Sequence, residues 1–168
     1  MAKYQSTKTF HDLPCAHRQW RHPGHCRFIH GYSRSFTFWF ECHELTDQQF
    51  VVDFGDLKDL RAWLEHMFDH TMLINSDDPE RATFEALHAR GVCDLRILPN
   101  CGMEGTSKYV HAYADRLLRE KTRGRAWVVR VETRENAKNS ASYEDLVSLE
   151  DDASGAVDHG TSNGRGHS

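Results

Sequence analysis

The stretch SRSFTFWFECHEL, residues 33–45, alternates apolar and polar side chains along most of its length. This period of two is typical of a β-strand that buries one face and leaves the other in solvent. We therefore predict a strand over residues 33–45. Its buried side carries Phe36, Phe38, Phe40 and Cys42, and its other side carries Thr37, Trp39, Glu41 and His43.

Two further elements are expected close to this strand. An earlier stretch, about Lys8–Ala16, can pair with it through the loop over residues 18–29, where proline and glycine favour a turn. After the strand, apolar residues recur at helical spacing and predict an amphipathic helix over residues 55–67. The apolar positions are Leu57, Leu60, Leu64 and Met67.

The second half of the chain predicts alternating helices and strands. We expect a short helix over residues 77–90, a short strand over 94–98, a third helix, and two paired strands over 126–131 and 140–147. Thr106 or Ser107 is placed as the N-cap of the third helix. Two strands, then helices, then two strands indicate an α+β fold with an antiparallel sheet.

Length and composition set the domain organisation. The chain has 168 residues, of which 39% are hydrophobic, so one domain can bury a core. From Glu150 onward the sequence has almost no large apolar residue and cannot offset the entropy of ordering. We expect one domain over residues 1–149 and a disordered tail over residues 150–168.

Charge and hydropathy exclude several classes of partner. A net charge of -4 gives no basic field for direct nucleic-acid binding. No apolar run approaches the roughly 18 to 20 residues of a spanning helix, and the start MAKYQSTKTF lacks the apolar core of a signal peptide. We therefore expect a cytoplasmic protein that binds neither nucleic acid nor a membrane.

Cysteine and histidine are distributed very differently. The 5 cysteines are scattered without a CxxC pair, which argues against a disulfide framework and a thiolate-rich zinc module. Several of the 12 histidines cluster near the start of the chain, where they could converge on one ion. They are His11, His17, His22, His25 and His30.

The segment CRFIHGY, residues 26–32, lies just before the phenylalanine-rich strand. In a strand, His30 and Tyr32 project to the same face, and His17 can meet them from the neighbouring strand. A metal held between the two strands is one interpretation. Ordinary loop histidines on a histidine-rich surface are the other.

Two carboxylates also have a chemical and a structural interpretation. Asp69 precedes His70, and such a pair can tune a general base or relay a proton. Alternatively it is a surface pair at a helix C-terminus, where the helix dipole favours histidine. Glu132 lies in a predicted strand, where it is either a ligand-binding carboxylate or a solvated one.

Taken in order, these pieces resemble the 6-pyruvoyltetrahydropterin synthase and 6-carboxytetrahydropterin synthase family. The resemblance extends from about Phe10 to Tyr143. The matching pieces are His17, CxxxHG at 26–31, VVDFGDLK at 51–58, Asp69-His70 with Asn75, Thr106-Ser107, and VET at 131–133. It implies the tunnelling fold: a four-stranded antiparallel sheet with two main helices on one face, assembled as a homohexamer of two trimers. The region 77–100 is then an insertion with a short helix.

The resemblance implies zinc or another divalent metal. The family binds zinc through one histidine of the first strand and two of an HGH motif; His17 and His30 match, but Tyr32 occupies the third position. A neutral phenol is a poor zinc ligand. We hypothesise that His25 supplies the third ligand. The alternatives are His22, Tyr32, Cys26 and a degenerate site without a catalytic metal.

The catalytic residues follow from the same resemblance. Cys26 matches the catalytic cysteine, and a nearby cation would favour the thiolate that takes a proton from the substrate side chain. Asp69 and His70 match a dyad on the other side of the substrate.

Binding residues are implied in the same way. Glu132 matches the carboxylate that anchors the pterin, since two oxygens can accept paired hydrogen bonds from the ring. Thr106 and Ser107 match further pterin contacts, whereas Lys108 replaces a glutamate of the family and puts one contact in doubt. A triphosphate substrate needs cations near the site, and four arginines could supply them: Arg18, Arg21, Arg27 and Arg34. The alternative is that these arginines are solvated and bind no substrate.

The expected function is that of a 6-carboxytetrahydropterin synthase-like lyase. Such an enzyme converts dihydroneopterin triphosphate to 6-carboxytetrahydropterin, acetaldehyde and triphosphate, in the 7-deazaguanine pathway to queuosine. The alternatives are a 6-pyruvoyltetrahydropterin synthase or another pterin-converting enzyme, and a non-catalytic pterin-binding homologue.

Overall fold

The computed structural model describes residues 2–145, and its central feature is one long pair of strands. Strand β1 (Tyr4–His17) runs antiparallel to β2 (His30–Cys42), with Phe10 opposite Phe36 and His17 opposite His30. The predicted phenylalanine-rich strand and its pairing are confirmed, although β2 begins and ends three residues earlier than expected. The connecting loop contains a short 3₁₀ turn, His25–Arg27.

The sheet has six strands, in the order β4-β3-β1-β2-β5-β6. The added strands are β3 (Thr71–Asn75), β4 (Leu95–Leu98), β5 (Ala126–Arg134) and β6 (Ser140–Glu144). Strands β1, β2, β5 and β6 form the antiparallel set, whereas β3 pairs parallel with β1, and β4 pairs parallel with β3. The expected four-stranded antiparallel sheet is therefore wrong, because it omits two strands.

Strand β3 escaped prediction because its sequence does not alternate. All five residues of Thr71–Asn75 are buried. A parallel strand that is covered on both faces shows a continuous apolar run and no period of two. Because this run directly follows the predicted helix, the sequence alone does not distinguish it from the end of that helix.

The helices lie on both faces of the sheet. Helix α1 (Lys58–Phe68) follows a 3₁₀ turn, Phe54–Leu57, and packs with α3 (Met103–Thr122) against the face that carries the phenylalanines of β2. We call this the helix face. Helix α2 (Arg81–Ala89) instead packs through Phe84 against Met72 and Ile74, on the opposite face. Two helices on one face and a short helical insertion are thus confirmed.

The start of α3 differs from its prediction. The N-cap is Gly102, in extended conformation, and its backbone N–H binds the side-chain oxygen of Asn100. A Cβ at Gly102 would lie 2.4 Å from the Gln19 amide nitrogen, so a larger residue here would require the Gln19 side chain to move. Thr106 and Ser107 lie within the helix and do not cap it.

Two other expectations concern membrane-spanning helices and the end of the chain. Within residues 2–145, no helix is both long and apolar enough to cross a bilayer. The predicted tail over residues 150–168, and the last part of the predicted strand 140–147, lie outside the described residues.

Candidate active site

Two histidines meet where β1 ends and β2 begins. His17 and His30 are direct partners across the strand pair, and their ring centroids are 4.4 Å apart. The His30 Nδ1 lies 2.7 Å from the carbonyl oxygen of Phe28, which can only accept a hydrogen bond. In neutral His30 the proton therefore sits on Nδ1, and Nε2 keeps a free lone pair.

His17 is almost completely buried, with 3% of its surface exposed. Burial, followed by the charges of Arg34 and His30, lowers the pKa of His17 to about 3. The ring is therefore neutral at physiological pH. Its Nδ1 has no hydrogen-bond partner, and its Nε2 lies 3.9 Å from the Glu135 Oε1. A buried imidazole with an unsatisfied nitrogen calls for a functional explanation.

The third position of the predicted metal site is not filled by the expected residue. Tyr32 lies beside the pair, with its ring 5.8 Å from that of His30, and His25 is exposed in the 3₁₀ turn. Within residues 2–145, no three His, Cys, Asp or Glu side chains are arranged so that they could hold a metal ion. The structure thus brings His17 and His30 together and leaves His25 outside.

Cys26 and Arg27 lie in the same 3₁₀ turn. Cys26 is half-buried, and its carbonyl accepts a 2.9 Å hydrogen bond from the Gln19 N–H just beyond the end of β1. Arg27 is exposed, and its guanidinium lies 4.9 Å from the centre of the Phe28 ring. The turn therefore presents a thiol and a cation close to the end of the strand that carries His17.

Asp69 and His70 form a surface dyad at the junction of α1 and β3. The Asp69 Oδ1 lies 2.6 Å from the His70 Nδ1, and the His70 side chain is 84% exposed. His70 has a φ of 57°, and its N–H donates to the Pro14 carbonyl. It borders a shallow groove of about 500 Å³ that Gly31 and Tyr32 also line.

Glu132 lies on the face of the sheet opposite the two histidines. It is paired with Thr37, between the buried Phe36 and Phe38, so alternation places it away from the helix face. Its Oε1 accepts a 2.9 Å hydrogen bond from Arg134. Glu132 is thus an ion-paired strand carboxylate in this chain, away from the histidine pair.

Thr106 and Ser107 are fully buried on the first turns of α3. The Ser107 hydroxyl donates to the Ala141 carbonyl and lies 2.8 Å from the Thr133 hydroxyl oxygen. The Thr106 hydroxyl accepts a hydrogen bond from Arg34. Both side chains therefore bind within the chain, and a ligand can reach them only if these contacts rearrange.

The four arginines that were expected to meet a triphosphate differ in their surroundings. Arg34 is fully buried and also donates to the Cys101 carbonyl, so the alternative that it is a solvated arginine is wrong. Arg18 donates to Asp78, and Arg21 donates to Asp77. Arg27 is exposed without an acidic partner among the described residues. It is the best placed of the four to meet an anion.

Glu135 is the residue that the sequence did not reveal. It follows β5 directly, and its carboxylate is only 12% exposed. Its burial comes from the long-range pairing of β5 with β2, which no local motif signals. No spacing rule connects it with His17, 118 positions earlier, since the two meet only through the sheet.

The fold is shared with several solved structures. An uncharacterized protein from Wolinella succinogenes superposes with a TM-score of 0.74 at 18% identity, covering 86% of this chain and 99% of that one. A Caenorhabditis elegans 6-pyruvoyl tetrahydropterin synthase superposes with a TM-score of 0.59 at 15% identity, covering 86% of this chain and 97% of that one. At these identities the likeness shows the fold alone.

Sequence comparison gives the family. The model of the 6-pyruvoyl tetrahydropterin synthase family matches residues 6–145, and the chain therefore belongs to this family. Curated relatives include 6-carboxy-5,6,7,8-tetrahydropterin synthases from Rickettsia conorii, 30% identical over 70 residues, and Rickettsia felis, 29% identical over 70 residues. Each match covers 41% of this chain and 51% of the relative, so the chain spans about half the length of these relatives.

Proposed function

We propose that this chain is a cytoplasmic, metal-dependent lyase of the 6-carboxytetrahydropterin synthase type. It would convert dihydroneopterin triphosphate to 6-carboxytetrahydropterin, acetaldehyde and triphosphate, in the 7-deazaguanine pathway to queuosine. The observation that carries the proposal is the family match over residues 6–145, together with relatives of that name. The local support is the pair of His17 and His30 beside the Cys26 turn.

The histidine pair fits a divalent metal in two respects. His17 is neutral and has an unsatisfied ring nitrogen, and His30 has its Nδ1 fixed by a backbone carbonyl, as is common for metal-binding histidines. His17 and His30 would hold the ion. When bound, it would polarise the side-chain oxygens of the substrate.

The remaining residues have the roles that the family resemblance implies, and Glu132 lies on the sheet face opposite the histidine pair. The Cys26 thiol would move a proton at the substrate side chain. Asp69 accepts the Nδ1 proton of His70, which leaves the outward His70 Nε2 as a base. Arg27 would meet the triphosphate, and Glu132 would anchor the pterin amino group.

The positions of the dyad and the thiol favour a site shared between copies. The His70 N–H donates to the Pro14 carbonyl inside β1, whereas the Cys26 carbonyl accepts a hydrogen bond from Gln19, beyond the end of β1. From Pro14 to His17 alone the strand advances about 10 Å. We therefore include a homo-oligomer in the proposal, a hexamer by family resemblance, in which one copy supplies Asp69 and His70 to the Cys26 of another.

Product analysis tests the activity. Purified chain is incubated with dihydroneopterin triphosphate, and the pterin product and acetaldehyde are quantified by mass spectrometry. We expect 6-carboxytetrahydropterin from the wild type, none from Cys26→Ala, and wild-type rates from Cys93→Ala, a half-buried cysteine between α2 and β4. A 6-pyruvoyl product would favour the other branch of the family. Binding without turnover would favour a non-catalytic homologue.

Complementation tests the shared site. His70→Ala alone is expected to lower turnover by about 10²- to 10⁴-fold, the usual contribution of a general base. Co-expression of Cys26→Ala with His70→Ala chains should restore part of the activity, because mixed oligomers contain some intact sites. If the mixture stays as inactive as its parents although mixed oligomers form, the dyad does not act across copies.

A further inference from the structure

The loop that carries Cys26 is closed by the backbone of Gln19. The Gln19 N–H donates to the Cys26 carbonyl at 2.9 Å, and the Gln19 carbonyl accepts a hydrogen bond from the His22 N–H at 2.9 Å. Gln19 follows β1 by two residues and so lies at the base of the loop that joins β1 to β2. A displacement of Gln19 is therefore passed directly to the turn that presents the Cys26 thiol.

The Gln19 side chain is the middle member of a chain of three amides. The Asn75 Nδ2 donates to the Gln19 Oε1 at 3.2 Å, and the Gln19 Nε2 donates to the Asn100 Oδ1 at 3.0 Å. The two outer amides bind backbone N–H groups at the start of α3. Cys101 donates to the Asn75 Oδ1 at 2.8 Å, and Gly102 donates to the Asn100 Oδ1 at 2.9 Å. The side chain thus links the base of the loop to β3 and to α3.

The direction of each hydrogen bond in this chain is determined at its two ends. A backbone N–H can only donate, so the Cys101 N–H faces the Asn75 oxygen, which leaves the Asn75 nitrogen to donate to Gln19. The Gly102 N–H fixes the Asn100 oxygen in the same way. Residue 19 must therefore accept one hydrogen bond and donate another. The glutamine amide does both, whereas a thioether of similar length donates none and is only a weak acceptor.

A second contact keeps the base of the loop in place when the amide chain is broken. The Arg18 guanidinium donates to the Asp78 carboxylate through Nε at 2.8 Å and through Nη2 at 3.0 Å, and the Asp78 side chain is fully buried. A paired hydrogen bond between charged groups is stronger than one between amides. Loss of the Gln19 contacts should therefore loosen the Cys26 turn without unfolding the loop.

We infer that Gln19 is a positioning residue, whose side-chain amide holds the Cys26 turn against the start of α3. Its importance for the reaction rests on the proposed function, in which the Cys26 thiol moves a proton. Gln19 acts through the turn and does not take part in the proton transfer itself. The sequence did not reveal this role, because Asn75 and Asn100 lie 56 and 81 positions away from Gln19.

Thiol alkylation tests the inference on the full chain without any pterin. Cys26 and Cys93 are half-buried and the other cysteines are buried, so iodoacetamide labelling of these two thiols is followed by peptide mass spectrometry. In Gln19→Met, Cys26 should react at least about 2-fold faster, the smallest change in an open population that loss of one hydrogen bond produces. Cys93 should keep its wild-type rate, because only a general loss of structure would expose both thiols.

A matched control is Gln48→Met, at an exposed position between β2 and α1, which should leave both alkylation rates unchanged. An unchanged Cys26 rate in Gln19→Met would overturn the inference, and so would an equal rise at Cys93. Asn100→Ala breaks the same amide chain at its other end and is used if Gln19→Met does not fold. In that case, a wild-type Cys26 rate in Asn100→Ala would overturn the inference.

The outcome is separable from that of the proposed function. Where the wild type forms product, Gln19→Met should lower kcat, because the thiol is no longer held in place. Faster Cys26 alkylation with an unchanged kcat would refute a role of Gln19 in the reaction. A wild type without turnover would refute the proposed activity, and the alkylation rates would still decide whether Gln19 positions the Cys26 turn.

Discussion

The helix face of the β1–β2 pair has two halves that bury very different chemistry. In the phenylalanine half, Phe36, Phe38 and Phe40 are fully buried and pack in one apolar core. In the histidine half, the same face buries Arg34 completely and His17 almost completely. Both halves exclude water, but only the first has an obvious benefit for stability. The burial of a cation and of an unsatisfied imidazole on the same strands indicates that the histidine half is kept for its chemistry.

The largest expected effect is a loss of stability caused by a substitution in the phenylalanine half. Phe38→Ala should lower the free energy of unfolding by about 3–5 kcal/mol, because it removes a fully buried ring and leaves a cavity. Phe28→Ala, at a ring that is 59% exposed, should change it by no more than about 0.5 kcal/mol. Urea unfolding followed by circular dichroism measures both. Equal effects would mean that β2 does not contribute its face to the core.

A smaller effect is expected in the histidine half. Arg34→Met should cost about 1–3 kcal/mol, because it leaves the Thr106 hydroxyl and the Cys101 carbonyl without their donor. The removal of a buried charge opposes this loss and keeps it below that of Phe38→Ala. Arg116→Met, on the exposed side of α3, serves as the control in the same urea unfolding experiment. A loss as large as that of Phe38→Ala would show that this half is stabilised as strongly as the core.

The two halves also differ in how far the sequence predicts them. Alternation over residues 36–42 predicted the strand, its buried face and its pairing with β1, since period-two burial is a local signal. It could not predict β3, because Thr71–Asn75 is buried on both faces and carries no alternation. The N-cap at Gly102 was missed because glycine has no capping side chain that the sequence could reveal.

The candidate site could be predicted only in part. The pairing of His17 with His30 follows from strand register and is confirmed. The approach of Glu135 and the burial of Arg34 depend on how β5 and α3 are placed across β2, which no local spacing specifies. The roles assigned to Cys26, Asp69, His70 and Glu132 came from family resemblance and stay predictions.

The smallest expected effect is a change of stability with pH in the histidine half. Burial raises the pKa of the Cys101 thiol from its ordinary value of 9.0 to about 11, although Arg34 opposes the shift. Between these values the native state keeps a proton that the unfolded chain releases. The stabilisation is therefore complete below pH 9 and is lost as the pH rises towards 11, by at most about 1.4 kcal/mol per pH unit.

This loss can be isolated with Cys101→Ala, which lacks the thiol but retains the other titrating groups. The difference in unfolding free energy between the wild type and Cys101→Ala should shrink between about pH 8 and about pH 10 in urea titrations. The difference between the wild type and Phe38→Ala should stay constant over the same interval, because no ionisable group is removed. A Cys101 difference that does not change with pH would mean that the thiol titrates normally and that the histidine half is open to water. In that case the guanidinium of Arg34, which donates to the Cys101 carbonyl, would also be solvated.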